Sequence, residues 1–204
     1  LDLLIQKDGA VLVVGAFGLA LRSTDGGATW RDWHDHIPNA KGAHLYAVRR
    51  IGDAIFLVGE QGTVLRSTDE GQSFSALTVP YNGSFFGVVE VGQGGVLAYG
   101  LRGNAFLSTD GGSHWQAVRL PIAATLTAGT KLIDGSTVIA SQAGNLLRTA
   151  DGAASFVPVK VPLPVPYVGL TQSADGALVL AGLRGASRVS LNPPDSKTVS
   201  GRTP

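Results

Sequence analysis

Acidic side chains that recur in one fixed setting are the first candidates for chemistry in this sequence. Asp25, Asp69, Asp110 and Asp151 stand in residues 23–30, 67–74, 108–115 and 149–156, each two places after a Ser or Thr and five before a Trp or Phe. Two carboxylates perform acid–base work only when they converge on one substrate. An acid that recurs once per repeat, at the same place in each copy, cannot meet its copies there. The same residues suit a tight turn: the carboxylate accepts N–H groups of its own loop, the residue two places on supplies positive φ, and the aromatic buries. Asp25 with Trp30, Asp69 with Phe74, Asp110 with Trp115 and Asp151 with Phe156 are therefore expected to be structural, and no residue is assigned a catalytic role.

Two connecting segments hold the remaining chemistry. Residues 33–44 carry His34, His36 and His44 beside Asp35, three of the four histidines of the chain. Three imidazoles and a carboxylate are metal-ligand types, but nothing in their spacing imposes a coordination geometry, so the expectation is a solvated polar loop without metal or cofactor. Residues 80–87 place Tyr81, Phe85 and Phe86 beside an Asn-Gly turn. The expectation there is packing over strand ends, with a protein-contact patch as the second reading.

A repeat must position these residues. The four aspartates lie 44, 41 and 41 residues apart, and a further step of 41 reaches Asn192, where the motif has decayed. Gly18, Gly62, Gly103, Gly144 and Gly185 precede the Asp or Asn position by seven residues; Gly15, Gly59, Gly100 and Gly182 stand three earlier still, with Ser141 in the fourth copy. Each period reads as four short strands, for example 45–50, 54–59, 63–67 and 74–78, called A to D below. Turn chemistry joins them, and apolar runs such as 55–58 suit strands buried on both faces. No window keeps a helical period with caps. Four strands per period of about 40 residues indicate an all-β fold, a β-propeller of five four-stranded antiparallel blades, either a closed five-bladed ring or part of a ring of about seven. The expected domain spans 1–192, with repeats at about 1–33, 43–78, 85–119, 126–159 and 167–199, and residues 193–204 form a tail with Thr198-Val199 as a closing strand piece.

In such a blade the A–B and C–D turns share one face, and the B–C turns share the other with the D–A connections. The B–C pairs Ala16-Phe17, Glu60-Gln61, Leu101-Arg102, Gln142-Ala143 and Leu183-Arg184 differ from copy to copy. A scaffold varies where it is used, so this second face is the candidate surface for a protein partner. Its candidate residues are Phe17, Gln61, Arg102, Arg184, His34, His36, Tyr81, Phe85 and Phe86.

Bulk composition narrows the class. With 44% hydrophobic and 15% charged residues the chain can fill a core and does not read as disordered. A net charge of +1 gives no field of the kind a nucleic-acid binder uses, and no apolar run approaches the roughly 20 residues of a spanning helix. There is no cysteine, hence no disulfide framework. There is also no methionine, and the expectation from this is that upstream sequence, a signal peptide or further blades, precedes Leu1.

These residues carry a family resemblance. The Asp motifs match the bacterial neuraminidase repeat, or Asp box. Together with residues 14–18, 22–27 and 81–87 they resemble the photosystem II stability/assembly factor-like propellers, including their non-photosynthetic bacterial relatives. The resemblance runs to about residue 192. It implies a non-enzymatic propeller of about seven blades that binds protein partners, exported to a periplasmic or lumenal compartment and associated with a membrane protein complex. Relatives carry an arginine-rich patch, for which Arg49, Arg50, Arg102, Arg119 and Arg184 are the candidates here. Asp-box propellers also include sialidases and endoglycanases, so a glycoside hydrolase is the rival. Its candidates are Arg102, Arg184, Tyr46, Tyr99, Glu60 and Asp35, although the Phe/Tyr-Arg-Ile-Pro element of sialidases is missing.

Overall fold

Short apolar runs broken by Gly-rich turns give short antiparallel strands, and the computed structural model, which describes residues 2–39, 41–161 and 163–191, orders them into five sheets. The first sheet runs β1 (Asp2–Ile5), β2 (Val11–Val14), β3 (Ala20–Ser23) and β4 (Arg31–Asp32). The second holds β5 (Leu45–Ile51), β6 (Ala54–Gly59), β7 (Val64–Ser67) and β8 (Ser75–Ala76). The third holds β9 (Phe85–Val91), β10 (Gly95–Gly100), β11 (Ala105–Ser108) and β12 (Gln116–Ala117). The fourth holds β13 (Leu126–Lys131), β14 (Thr137–Ser141), β15 (Leu146–Thr149) and β16 (Val157–Val159). The fifth shows β17 (Tyr167–Gln172), β18 (Leu178–Gly182) and β19 (Gly185–Val189) among the described residues. The chain is thus a five-bladed β-propeller, with strands in sequence order within every blade. Asn192 and the closing piece at Thr198-Val199 lie outside the described residues.

Each blade buries its two faces against its neighbours. Leu12 and Val14 of the first blade meet Leu45, Ile55 and Leu57 of the second, and Phe56 and Val58 on the other side of β6 meet Phe85 and Val88 of the third. Leu97 and Tyr99 then pack on Leu126 and Ile139, and Val138 and Ala140 on Tyr167 and Leu178. This is why β6 and β10 read as continuous apolar runs: both pleat faces are dry. The first blade differs. Leu4 joins the shared core, whereas Leu3 and Ile5, on the opposite pleat face, are exposed. The fourth strands of the first four blades are also shorter than expected, pairing with the third strand over only two or three positions.

The paired glycine markers mark places where one backbone passes another. A Cβ on Gly59, Gly100 or Gly182 would stand 2.3, 2.1 or 2.4 Å from the carbonyl oxygen of His44, Ser84 or Pro166, each at the end of the connection entering the same blade. At Gly62 it would meet the Tyr81 carbonyl at 2.0 Å, in the connection leaving the blade. The B–C turns are accordingly clamped between two D–A connections by Glu60 N–H to His44 O at 3.0 Å, Gly62 N–H to Gly83 O at 2.8 Å and Leu101 N–H to Ser84 O at 3.0 Å.

Candidate functional site

The C–D turns form one face and are closed circuits. In the first, the Ser23 hydroxyl donates to Asp25 and accepts the Gly27 N–H, while Asp25 also accepts the Thr29 N–H and hydroxyl at 2.9 and 2.6 Å. The same pattern joins Ser67, Asp69, Gly71 and Ser73, and recurs with Thr149, Asp151, Ala153 and Ser155. In the third turn His114 supplies both N–H and ring nitrogen to Asp110. These donors hold Asp25, Asp69 and Asp151 at about 2, chiefly through the Thr29, Ser67 and Ser155 hydroxyls respectively, and the His114 N–H leads in holding Asp110 lower still. Each carboxylate is consumed by its own loop. The first hydroxyl of each motif is buried at the centre of the circuit, a role that its constant place two residues before each Asp signalled.

One aromatic departs from expectation. Phe74 and Trp115 are buried, but Trp30 is 44% exposed. Phe74 lies in the core shared with the first blade and Trp115 in that shared with the second, so the aromatic of each turn fills the interface with the preceding blade. No described blade stands on that side of Trp30.

The B–C turns present the opposite face. Phe17, Gln61 and Arg102 occupy the same position in three of them, with left-handed φ of 55°, 54° and 57°, each followed by a glycine of positive φ. With the Leu19 N–H bonded to Ala16 O, Thr63 to Glu60 O and Asn104 to Leu101 O, these are type I′ turns. Asn or Gly would fit that first position with less strain. Three blades instead place an aromatic, an amide and a guanidinium there, all exposed, with Phe17 83% so. Phe17, His34 and Asp35 border one hollow of about 480 Å³ with Ile37, Pro38 and Asn39. Leu183 and Arg184 of the fifth blade are also exposed.

The structure separates other residues that the sequence placed together. Phe85 is fully buried, packed on Tyr81 and Phe106 at 5.1 and 5.9 Å, because β9 turns it into the core between the second and third blades; it is a core residue, not a contact residue. Tyr81 is half-buried beside it, and Phe86 points to the opposite side, against Tyr46 at 4.9 Å. His36 stacks on Trp33 at 3.8 Å and meets the Gln72 carbonyl at 2.6 Å, so it joins the first connection to the second blade's C–D turn rather than to the B–C face. His34 is held between Asp32 and Asp35 at 2.6 and 2.9 Å, which raises its pKa, the Asp32 hydrogen bond foremost. His44 lies edge-on to Phe17 at 4.7 Å. Three histidines on one loop thus take three neighbourhoods, and no cluster able to hold a metal exists among the described residues.

Of the cationic candidates, Arg49 is ion-paired with Asp2 and Arg50 with Glu70 of the C–D turn, which removes both from a patch on the B–C face. Arg102, Arg119 and Arg184 are exposed and make no ion pair among the described residues. The inner strands enclose a cavity of about 260 Å³ lined by Asp2, Tyr46, Arg49, Phe86, Tyr99 and Thr127. Tyr99 is buried, and burial pushes its phenol far up. Tyr46 donates its hydroxyl to Glu60 at 3.2 Å, a pair that links an inner strand to a B–C turn. No helix among the described residues is long and apolar enough to cross a membrane.

Comparison with known proteins places this geometry. The sequence matches the family described as Photosynthesis system II assembly factor YCF48 over residues 1–159. No curated protein matches it. Among solved structures, YCF48 from Cyanidioschyzon merolae superposes with a TM-score of 0.71 at 20% identity, covering 95% of this chain and 67% of that one. A structure described as YCF48 bound to D1 peptide gives 0.68 at 21% identity, covering 89% and 59%. Virginiamycin B lyase from Staphylococcus aureus gives 0.74 at 17% identity, covering 92% and 68%. Identities this low establish the shared propeller fold and no more.

Proposed function

We propose, from the premise that this chain belongs to the photosynthesis system II assembly factor YCF48 family, that it is a non-catalytic scaffold that binds a protein partner as an assembly factor, through the face of the B–C turns and D–A connections. The observation that carries this reading is the repeated left-handed residue. Phe17, Gln61 and Arg102 share one backbone conformation that disfavours all three, yet differ in side-chain chemistry and all face solvent. Strain retained at equivalent positions with varying chemistry is what a presentation surface requires. The complex of a YCF48 with a D1 peptide supports a polypeptide partner by kinship. On this reading the partner is a subunit of a membrane protein complex and the scaffold works on its periplasmic or lumenal side. The test is capture of partners by the tagged chain, identified by mass spectrometry, with Arg102→Glu/Arg184→Glu as comparison. Loss of the captured protein in the variant is expected, and unchanged capture removes the face.

One observation favours a second reading, a glycoside hydrolase of sialidase or endoglycanase type. Tyr46 and Glu60 form a hydrogen-bonded Tyr/Glu pair, the nucleophile arrangement of sialidases. Against it, burial raises Tyr46 and Glu60 raises it further, so the phenol keeps its proton. The arginines that would bind a substrate carboxylate, Arg102 and Arg184, sit on the turns of the third and fifth blades. Release of fluorophore from a sialoside, or cleavage of a xyloglucan oligomer, lost on Tyr46→Phe, would establish the enzyme.

A further inference from the structure

Among the described carboxylates all but one are matched either by a cationic partner or by the donors of their own turn. Asp2, Asp8, Asp53, Glu70, Glu90, Asp134 and Asp175 each pair with a Lys or Arg. The four C–D turn aspartates are enclosed by their own hydroxyls or His114, and Asp32 and Asp35 share His34. Glu60 alone among the described carboxylates has neither a Lys or Arg at ion-pair distance nor a turn of its own to close. It is held rigidly nonetheless: one oxygen accepts the His44 N–H at 2.9 Å and the other the Tyr46 hydroxyl at 3.2 Å. These bonds, with the His44 one foremost and the His44 charge adding to them, keep its pKa low, so it stays a carboxylate.

Its surroundings are aromatic. Phe17 meets His44 at 4.7 Å, His44 lies 6.2 Å from Tyr46, and Tyr46 meets Phe86 at 4.9 Å, a continuous run of rings from the first blade's B–C turn to the third blade's inner strand. Phe17 is exposed, and His44, Tyr46, Phe86 and Glu60 are half-buried. Each Glu60 oxygen spends one acceptor site on the protein and retains another, and an anion among aromatic side chains suits a cation that is partly stripped of water.

We propose that Glu60, framed by Phe17, His44, Tyr46 and Phe86, receives a basic side chain, arginine or lysine, from an extended segment of the partner polypeptide. The inference rests on the reading of this face as the partner-binding surface and names the chemistry of one of its contacts. A carboxylate pinned by two protein donors needs no reordering to accept a guanidinium, and the apolar rings on either side accommodate the residues that flank the basic one.

The test pans a random peptide library displayed on phage against the immobilised chain and against Glu60→Gln, which keeps the size of the side chain and removes its charge. Far-UV circular dichroism verifies that the variant is folded. The wild-type chain is expected to enrich a basic residue at one position beside an apolar one, and the selected peptide is expected to bind Glu60→Gln about tenfold more weakly. Replacing the peptide's basic residue by Gln should cost the same factor in wild type and nothing further in the variant. Enriched peptides without a basic residue, or basic peptides that bind both proteins equally, overturn the role of Glu60. If such peptides are still weakened by Arg102→Glu, the face stands without it; if no peptide is enriched on either protein, the face and the Glu60 contact fall together.

Discussion

Replacing Trp115 and Trp30 by alanine separates the two forces that hold these blades, since both occupy the same repeat position. Trp115 is 8% exposed and Trp30 44%, a difference of about a third of the residue's surface, on the order of 70 Å² for a side chain of this size. At about 25 cal/mol per Å² that is ~2 kcal/mol in favour of the Trp115 contact. A cavity term is added at Trp115, because Phe56 and the neighbouring blade cannot collapse onto the space, and its ring N–H leaves the Gly112 carbonyl that it now bonds at 2.9 Å. Trp115→Ala is therefore expected to cost about 3–5 kcal/mol and Trp30→Ala about 1–2, a difference in Tm of roughly 5–12 °C for a chain of this length. Thermal and urea unfolding followed by far-UV circular dichroism measure both. Equal losses in the two variants would refute the assignment of the aromatic to the inter-blade interface and return it to its own turn.

Other consequences concern backbone and protonation. Gly100→Ala puts a Cβ 2.1 Å from the Ser84 carbonyl oxygen, so it should destabilise by about 3 kcal/mol or more; a variant that unfolds at the wild-type urea concentration would show that the connection moves aside freely. Phe17→Asn places the preferred residue in the type I′ turn and should raise stability by about 0.5–1 kcal/mol while weakening partner capture, and a variant losing both stability and capture would tie Phe17 to the fold instead. Asp25, Asp69 and Asp151 sit at about 2 when folded, below their ordinary value of 3.8, so their contribution is present above pH 4 and lost as pH falls through about 2. Ser73→Ala removes a donor from Asp69 and should move the acid-unfolding midpoint upward; an unchanged midpoint would show that this turn does not set the acid limit.

What could be read from residues alone is what depends on residues close in sequence. Strand A to D order, the place of each turn and the circuit around Asp25, Asp69, Asp110 and Asp151 are all local: the hydroxyl, the carboxylate and the N–H that close each circuit lie within six residues of one another. A period of 41 to 44 residues repeats them, so one copy interprets the next. What required the tertiary structure is everything that passes between blades. Trp30 and Trp115 close the same motif, Ser-Thr-Asp-Gly-Gly followed by two variable residues and Trp, and only the presence of a preceding blade buries one and not the other. Phe85 and Phe86 are adjacent, and the pleat of β9 sends one into the core and the other toward the channel. Arg49 looked free until Asp2, 47 residues away, was brought beside it. The left-handed turns at Phe17, Gln61 and Arg102 are announced by the glycine that follows each, but that they stand on one face, beside a carboxylate without a Lys or Arg partner among the described residues, follows from the stacking of the blades around a common axis, which no single repeat encodes.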